Sequence, residues 1–146
     1  MNAIRLLSGL LPVLLLASCA SARFEKDWKQ ALADEASGKS NAVTGPWTGT
    51  WETETNGHTG DLRCLVSEDG DSHKFRYHAT WGKIFQGGYT ANYDVRKTGR
   101  AYKVTGSKDL GFFGEFAHDG TIRGDTFHAT YESSKGDKGA FLLRRP

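Results

Sequence analysis

The chain has 146 residues, of which 38% are hydrophobic and 12% aromatic, a composition that fits one small globular domain and excludes a disordered or collagen-like chain. Its 19 Lys and Arg side chains nearly balance its 17 Asp and Glu, so the formal net charge of +2 gives no support for nucleic-acid binding. Two cysteines cannot build a disulfide framework, so a packed core must supply the stability.

Residues 1–18 have the pattern of a secretory leader. Arg5 supplies a positive charge, and the mainly apolar run Leu6–Leu16 follows it. This run is too short to cross a bilayer as a permanent helix. We therefore predict that residues 1–18 are a signal peptide.

A cysteine follows this leader in a recognisable context. Leu16-Ala17-Ser18-Cys19 resembles the bacterial lipobox, in which an aliphatic residue and two small residues precede the cysteine that is acylated and becomes the new N-terminus. The resemblance implies that Cys19 carries lipid and holds the protein at a membrane of the cell envelope, facing the periplasm. Ala20 after the cysteine is similar to the outer-membrane sorting pattern of enteric bacteria. The alternative is an ordinary signal peptide cleaved near Ala20 or Ala22.

Residues 21–38 carry a helical pattern. The apolar positions recur at i, i+4, i+7 and i+8, namely Phe24, Trp28, Ala31 and Leu32. Gly38 is a suitable C-cap. We expect one short amphipathic helix that docks its aromatic stripe on the following domain, with the lipid interface as the alternative surface. With the polar linker after it, this helix completes an N-terminal region of residues 19–45.

Residues 46–146 are predicted to form a β-domain, because apolar and polar residues alternate there and turn dipeptides separate the runs. The runs predict about eight strands, at 47–55, 59–67, 73–82, 89–97, 100–107, 111–118, 121–133 and 138–145. In this prediction Asp119-Gly120 is a turn, and a bulge lies near Gly124. No gap is long enough for a parallel crossover, so neighbours in sequence should pair antiparallel. Since closure removes exposed edges, we predict an all-β, eight-stranded up-and-down barrel.

The histidines give no metal-binding pattern. His78 and His128 fall on outward positions of strands that a simple meander keeps apart. We expect the others to be solvated near turns, namely His58, His73 and His118. Cys64 lies in an alternating run, where a lone thiol is expected to be buried and inert rather than a nucleophile or metal ligand. We expect neither a metal nor another cofactor.

The two ends of the predicted barrel resemble the calycin superfamily, which includes lipocalins and avidins. Gly49-Thr50-Trp51 is similar to the Gly-x-Trp on the first strand of those barrels, and Arg145 to the arginine from their last strand. The resemblance implies a calycin-like barrel that is closed at one end by a cation-π stack of Trp51 and Arg145 and open at the other. The chain departs from lipocalins because it has no Thr-Asp-Tyr signature and no helix before the last strand. An open sheet and a different small barrel are the alternatives.

Function depends on whether the barrel interior is full. If it leaves a pocket, aromatic side chains suited to a small apolar or aromatic ligand line it, namely Trp47, Trp81, Tyr89, Tyr93, Tyr102 and Tyr131. Ligand binding is the first hypothesis. The alternative is a filled barrel that acts as a protein-interaction module, either a hydrolase inhibitor or an envelope scaffold, with Phe112 and Phe113 as its partner surface.

Catalysis has the least support from the sequence. No hydrolase, metalloprotease, phosphate-loop or dinucleotide motif occurs, so we expect a protein that is not an enzyme. The outward charges on the third and fourth predicted strands favour a monomer.

Overall fold

The computed structural model describes residues 10–82 and 84–146, with side chains from Cys19 onward. A helix, α1 (Leu10–Ala36), precedes all of the strands. The strands are β1 (Gly45–Thr53), β2 (Thr59–Asp69), β3 (Ser72–Trp81), β4 (Phe85–Thr98), β5 (Ala101–Asp109), β6 (Glu115–Arg123), β7 (Thr126–Ser133) and β8 (Lys138–Arg144). Each pairs antiparallel with the next, and β1 pairs with β8, which closes the barrel. The predicted all-β, eight-stranded barrel behind one helix is confirmed.

The alternation of side chains along each strand places the core inside the barrel. In β7, for example, Phe127, Ala129 and Tyr131 are buried, while His128 and Thr130 between them are exposed. The same period of two runs through the other strands and fills the interior with apolar residues. Charged and hydroxyl side chains cover most of the outside.

The up-and-down topology gives the barrel two distinct ends. The β1–β2, β3–β4, β5–β6 and β7–β8 connections lie at one end, which we call the upper end. The linker from α1, the β2–β3, β4–β5 and β6–β7 turns and the C-terminus lie at the other, the lower end. Residues that are far apart in sequence therefore share an end of the barrel.

The predicted turn at Asp119-Gly120 was wrong. β6 runs through both residues to Arg123, and the turn comes at Gly124, whose φ is 57°. Gly120 faces the interior, where an added Cβ would lie 2.8 Å from the ring of Phe127. This glycine is therefore required by close packing rather than by a turn.

Helix α1 begins earlier than the pattern of residues 21–38 indicates. Its backbone is helical from Leu10, through the predicted leader and past Cys19, and it ends at Ala36 before Gly38. Gly38 has φ 73° and donates its N–H to the carbonyl of Glu35, as expected of a C-cap. The amphipathic pattern indicated only residues 21–38, because the apolar sequence before them has no polar face. Within residues 10–82 and 84–146, no helix combines the length and apolarity needed to cross a membrane.

The aromatic stripe of α1 docks on the barrel wall. Phe24 and Trp28 are buried, and the ring of Phe24 stacks on His78 of β3 with centroids 4.7 Å apart. The prediction that the stripe docks on the following domain is confirmed. Leu32 lies at the edge of this contact and is 37% exposed.

Candidate functional site

The barrel interior is occupied by interlocking aromatic rings. Trp47, Phe75 and Phe127 expose none of their surface, and Tyr77 exposes 1%. The ring of Phe75 lies 5.2 Å from that of Tyr93 and 5.9 Å from that of Phe127, which are ordinary distances for packed rings. A void large enough for water would leave accessible surface on these side chains. These four side chains therefore leave no water-sized void beside them.

The small inward residues interlock with these rings instead of forming a pocket floor. An added Cβ at Gly106 would lie 2.6 Å from Cδ1 of Tyr93. One at Gly139 would lie 2.7 Å from the hydroxyl oxygen of Tyr131. The glycines thus make space for rings on neighbouring strands, as close packing requires.

A small polar cluster sits within this aromatic core. The Tyr77 hydroxyl lies 3.3 Å from Nε2 of His118, and the Tyr93 ring lies 4.5 Å from the imidazole. Burial lowers the pKa of His118 to about 4. Burial also raises the pKa of the Cys64 thiol and that of the Tyr77 hydroxyl. All of these groups are therefore neutral at neutral pH, which makes them poor acid–base or nucleophilic catalysts.

Two expectations about these residues have opposite outcomes. The buried position of Cys64 is confirmed, since it exposes 0% of its surface. The solvated position expected for His118 was wrong, because it faces inward from the middle of β6 and is 4% exposed. That error has the same origin as the misplaced turn at Gly120.

The aromatic residues predicted to line a ligand pocket line neither of the two cavities found on the surface of the described residues. They are Trp47, Trp81, Tyr89, Tyr93, Tyr102 and Tyr131. Trp47 and Tyr102 lie toward the lower end, and Tyr93 is part of the packed centre. Tyr89 packs on Tyr77, with ring centroids 5.0 Å apart, and Trp81 lies at the upper rim.

Arg145 and Trp47 close the lower end. The guanidinium carbon of Arg145 lies 4.0 Å from the Trp47 ring centroid. The same guanidinium donates to the carbonyls of Asn41 and Thr44, at 2.6 and 2.8 Å. These bonds fasten the linker after α1 across the end of the barrel.

The predicted stack of Arg145 on Trp51 was wrong. Thr48 pairs with Arg144 across β1 and β8, so the register brings Arg145 level with Trp47 at the lower end. Trp51 lies three residues farther along β1 than Thr48, toward the upper end, and its Nε1 donates to the Thr80 carbonyl at 3.4 Å. The alternation of side chains predicts the face of the strand on which Arg145 lies. Which tryptophan it contacts depends on the register between β1 and β8.

A seam opens in the barrel wall between β4 and β5. Within the described residues, these strands pair only between Asp94–Thr98 and Ala101–Thr105. Above that, residues 85–93 pair with β3, and residues 106–109 pair with β6. The β3–β4 and β5–β6 hairpins are therefore separate from each other at the upper end.

The upper end exposes large apolar side chains. They are Trp81, Ile84 and Phe85 around the β3–β4 connection, and Phe112 and Phe113 in the β5–β6 connection. Ile84 is 83% exposed, Phe112 84% and Phe113 68%. Exposed apolar residues grouped at one end of a domain are typical of an interaction surface.

The loop that carries Phe112 and Phe113 is fixed to its neighbours. Ser133 donates its hydroxyl to the Phe113 carbonyl at 3.1 Å. The Lys135 ammonium lies 4.9 Å from the Phe112 ring centroid and donates to the Phe112 carbonyl. A short 3-10 turn, Gly111–Phe113, completes the loop. The two rings are thus displayed on an ordered backbone.

Helix α1 is held on the outer wall by arginines from β2 and β3. The Arg63 guanidinium lies 5.1 Å from the Phe24 ring and 5.3 Å from the Trp28 ring, and Arg76 lies 5.2 Å from Phe24. The pKa of His78 is lowered by burial beneath Phe24 and by the charge of Arg63. His78 does face outward, as predicted, but the helix covers it.

Carboxylates of the helix complete this contact. Glu25 pairs with Arg63, and Asp27 pairs with Arg76. The hydrogen bond from Arg63 lowers the pKa of Glu25. Two of the outward charges of β2 and β3, Arg63 and Arg76, thus have partners on α1.

Two surface cavities lie outside the barrel, beside the helix. The larger, about 680 Å³, is bounded by the second half of α1, the linker, β2 and β3, and both Asp34 and Lys74 line it. The smaller, about 300 Å³, is lined by outward residues of β1, β2 and β3, including Asp61 and Arg63. Among the residues for which the structure gives side chains, no group of three or more His, Cys, Asp or Glu could hold a metal ion.

Two features of the site were missed in the sequence. Ile84 lies in the β3–β4 connection, and an apolar residue between two strands was the signal that could have identified it. The inward position of His118 could not be recognised in the sequence, because the turn wrongly predicted at Asp119-Gly120 made this residue look solvated. Comparison with known proteins adds nothing to the geometry, since no family model, no curated protein and no solved structure matches the chain.

Proposed function

We propose that this protein is a lipid-anchored component of the bacterial cell envelope that binds another protein through the upper end of a filled barrel. The observation that carries the proposal is that Phe112 and Phe113 are displayed on an ordered loop, while the interior that would otherwise hold a ligand is packed with rings. Rigid exposed aromatics are the residues that protein interfaces use most.

The proposed anchor is Cys19. It is exposed, and it precedes the first docked residue of α1, Phe24, by less than two helical turns. The lipobox resemblance supports its acylation, and Ala20 supports the outer membrane, with the domain in the periplasm. Acyl chains there would leave the barrel and its helix contact intact.

A small apolar ligand is the weaker hypothesis. It needs the packed rings of the core to separate. Separation would be unfavourable, because it removes the packing contacts that these buried rings make with one another. The neutral Tyr77, His118 and Cys64 give no acid–base pair, so we propose a binding role rather than catalysis. The calycin resemblance also stays a proposal: the tryptophan under Arg145 is Trp47, which ends Gly45-Pro46-Trp47, and not Trp51 of Gly49-Thr50-Trp51.

Photocrosslinking in the protein's own host cells tests the partner surface. A benzoylphenylalanine in place of Phe113 should give one discrete higher-mass adduct on irradiation, and the Phe112→Ser change should remove it. The matched control places the same probe at His128, an exposed position on β7. Equal adducts from both positions, or none from position 113, would contradict the proposed surface.

A further inference from the structure

We propose that the tip of the β3–β4 hairpin, with Trp81, Ile84 and Phe85, lies on the lipid bilayer. The inference deepens the proposed function and rests on the acylation of Cys19. It assigns the hairpin a partner different from that of Phe112 and Phe113.

The described side chains of the hairpin tip form an exposed apolar surface. Ile84 is 83% exposed and Phe85 57%. The Trp81 ring stacks on that of Phe85, with centroids 6.1 Å apart and planes 15° apart. A branched aliphatic beside an indole suits the boundary between headgroups and acyl chains, where tryptophan is enriched.

The direction of α1 places the proposed anchor at this end. The Ser21 hydroxyl donates to the Gln86 side chain at 3.2 Å, and Gln86 pairs with Thr80 just below the hairpin tip. At the other end of the helix, Glu35 lies 3.5 Å from Arg145 at the lower end. Cys19 lies two residues before Ser21, roughly 3 Å farther along the helix toward the upper end.

The leader points to the same orientation independently of acylation. α1 is continuous from Leu10, so the apolar segment before Cys19 leaves the domain at the upper end too. Nine residues of helix extend roughly 14 Å. The leader before its removal, and the acyl chains on Cys19 after it, would therefore both bring the hairpin to the bilayer.

The charges around the upper end indicate that apolar contact drives this association. Lys138 lies 3.6 Å from Glu54, and Asp137 accepts hydrogen bonds from Thr53 and Thr55. Both signs are present, so the surface has no strong attraction for anionic lipid.

A fluorescent probe on the hairpin tests the inference. The full-length protein is extracted with its lipid and reconstituted in vesicles of phosphatidylethanolamine and phosphatidylglycerol. Ile84→Cys carries an environment-sensitive dye, and Asp71→Cys in the lower-end β2–β3 turn is the matched control. Cys64 is fully buried, so it does not compete for the label. Flotation of the vesicles and the mass of the N-terminal peptide report anchoring separately.

We expect a blue shift at position 84, with loss of emission when lipids carrying nitroxide are added, and neither effect at position 71. An anchored protein whose position 84 behaves like position 71 would overturn the inference and leave the anchor standing. A blue shift that nitroxide lipids do not quench would also overturn it, since a second copy or a protein would then cover the hairpin. A chain without acyl groups on Cys19 would overturn the anchor, and the inference with it.

Discussion

Arg145 covers the indole of Trp47 at the lower end of the barrel, 4.0 Å from the ring centroid, and donates hydrogen bonds to the linker that joins the helix to the first strand. One side chain thus connects the last residues of the chain to the start of the domain. Replacing Arg145 by Ala should lower the free energy of unfolding by about 2–4 kcal/mol, because it removes a cation-π contact and several hydrogen bonds, most of them partly buried.

Urea denaturation monitored by tryptophan fluorescence measures this loss. Arg144→Ala is the control, since Arg144 is exposed and should change stability by no more than about 0.5 kcal/mol. Equal effects of the two changes would show that Arg145 does not fasten the end of the barrel.

The buried imidazole of His118 should make the free energy of unfolding depend on pH. Its pKa is about 4 in the folded protein and 6.5 when unperturbed, so the unfolded chain binds more protons as the pH falls below 6.5. Stability should therefore fall by about 2 kcal/mol between pH 7 and pH 5 because of this residue. His78, whose pKa is also lowered, adds to the fall in the same direction.

The His118→Gln variant tests this dependence. Its free energy of unfolding should vary less with pH between pH 7 and pH 5 than that of the native protein. His128→Gln, at an exposed position, should keep the native slope. The lowered pKa of Glu25 affects stability only at more acidic pH, below 4.5. An unchanged slope in His118→Gln would mean that the imidazole is solvated.

The count of reactive thiols tests the burial of Cys64 and the acylation of Cys19 together. In the protein extracted from membranes, no thiol should react with a water-soluble reagent under native conditions, because Cys64 is buried and Cys19 is blocked as a thioether. One thiol should react in guanidinium chloride. A second reactive thiol would show that Cys19 is free.

Phe24 is expected to hold the helix on the barrel. It is 2% exposed and lies between His78, Arg63 and Arg76. Phe24→Ala should weaken docking by about 3 kcal/mol, which corresponds to amide exchange about 100-fold faster in residues 21–36.

Hydrogen exchange read by mass spectrometry separates this local effect from loss of the fold. The peptides of β5 to β8 should keep their native exchange rates, and Leu32→Ala, at a partly exposed position, should change little. Faster exchange throughout the chain would show that the helix and barrel unfold as one unit.

The barrel could be predicted because its signal is local and repeated. Alternation fixes which face of each strand is buried, and turn residues divide the strands, so the closed meander followed from the absence of long connections. The same signals failed at Asp119-Gly120, because a glycine that admits the Phe127 ring looks identical in sequence to a glycine in a turn.

The candidate site could be predicted less well, since it depends on register and on contacts distant in sequence. The glycines around Phe112 and Phe113 predicted that at least one of the two rings is exposed, and both are. The partner of Arg145 did not, because choosing between Trp47 and Trp51 requires the pairing of β1 with β8. The arginines that hold α1 were read as solvent-facing, because an outward charge does not show what will cover it.

The filled interior is the central claim, and native mass spectrometry tests it most directly. The lipid-bearing protein, released from detergent in the gas phase and then denatured, should show one mass, that of the polypeptide with its covalent acyl chains. A further small molecule that is bound in the native state and released on denaturation would show that the barrel carries a ligand, and would contradict the account.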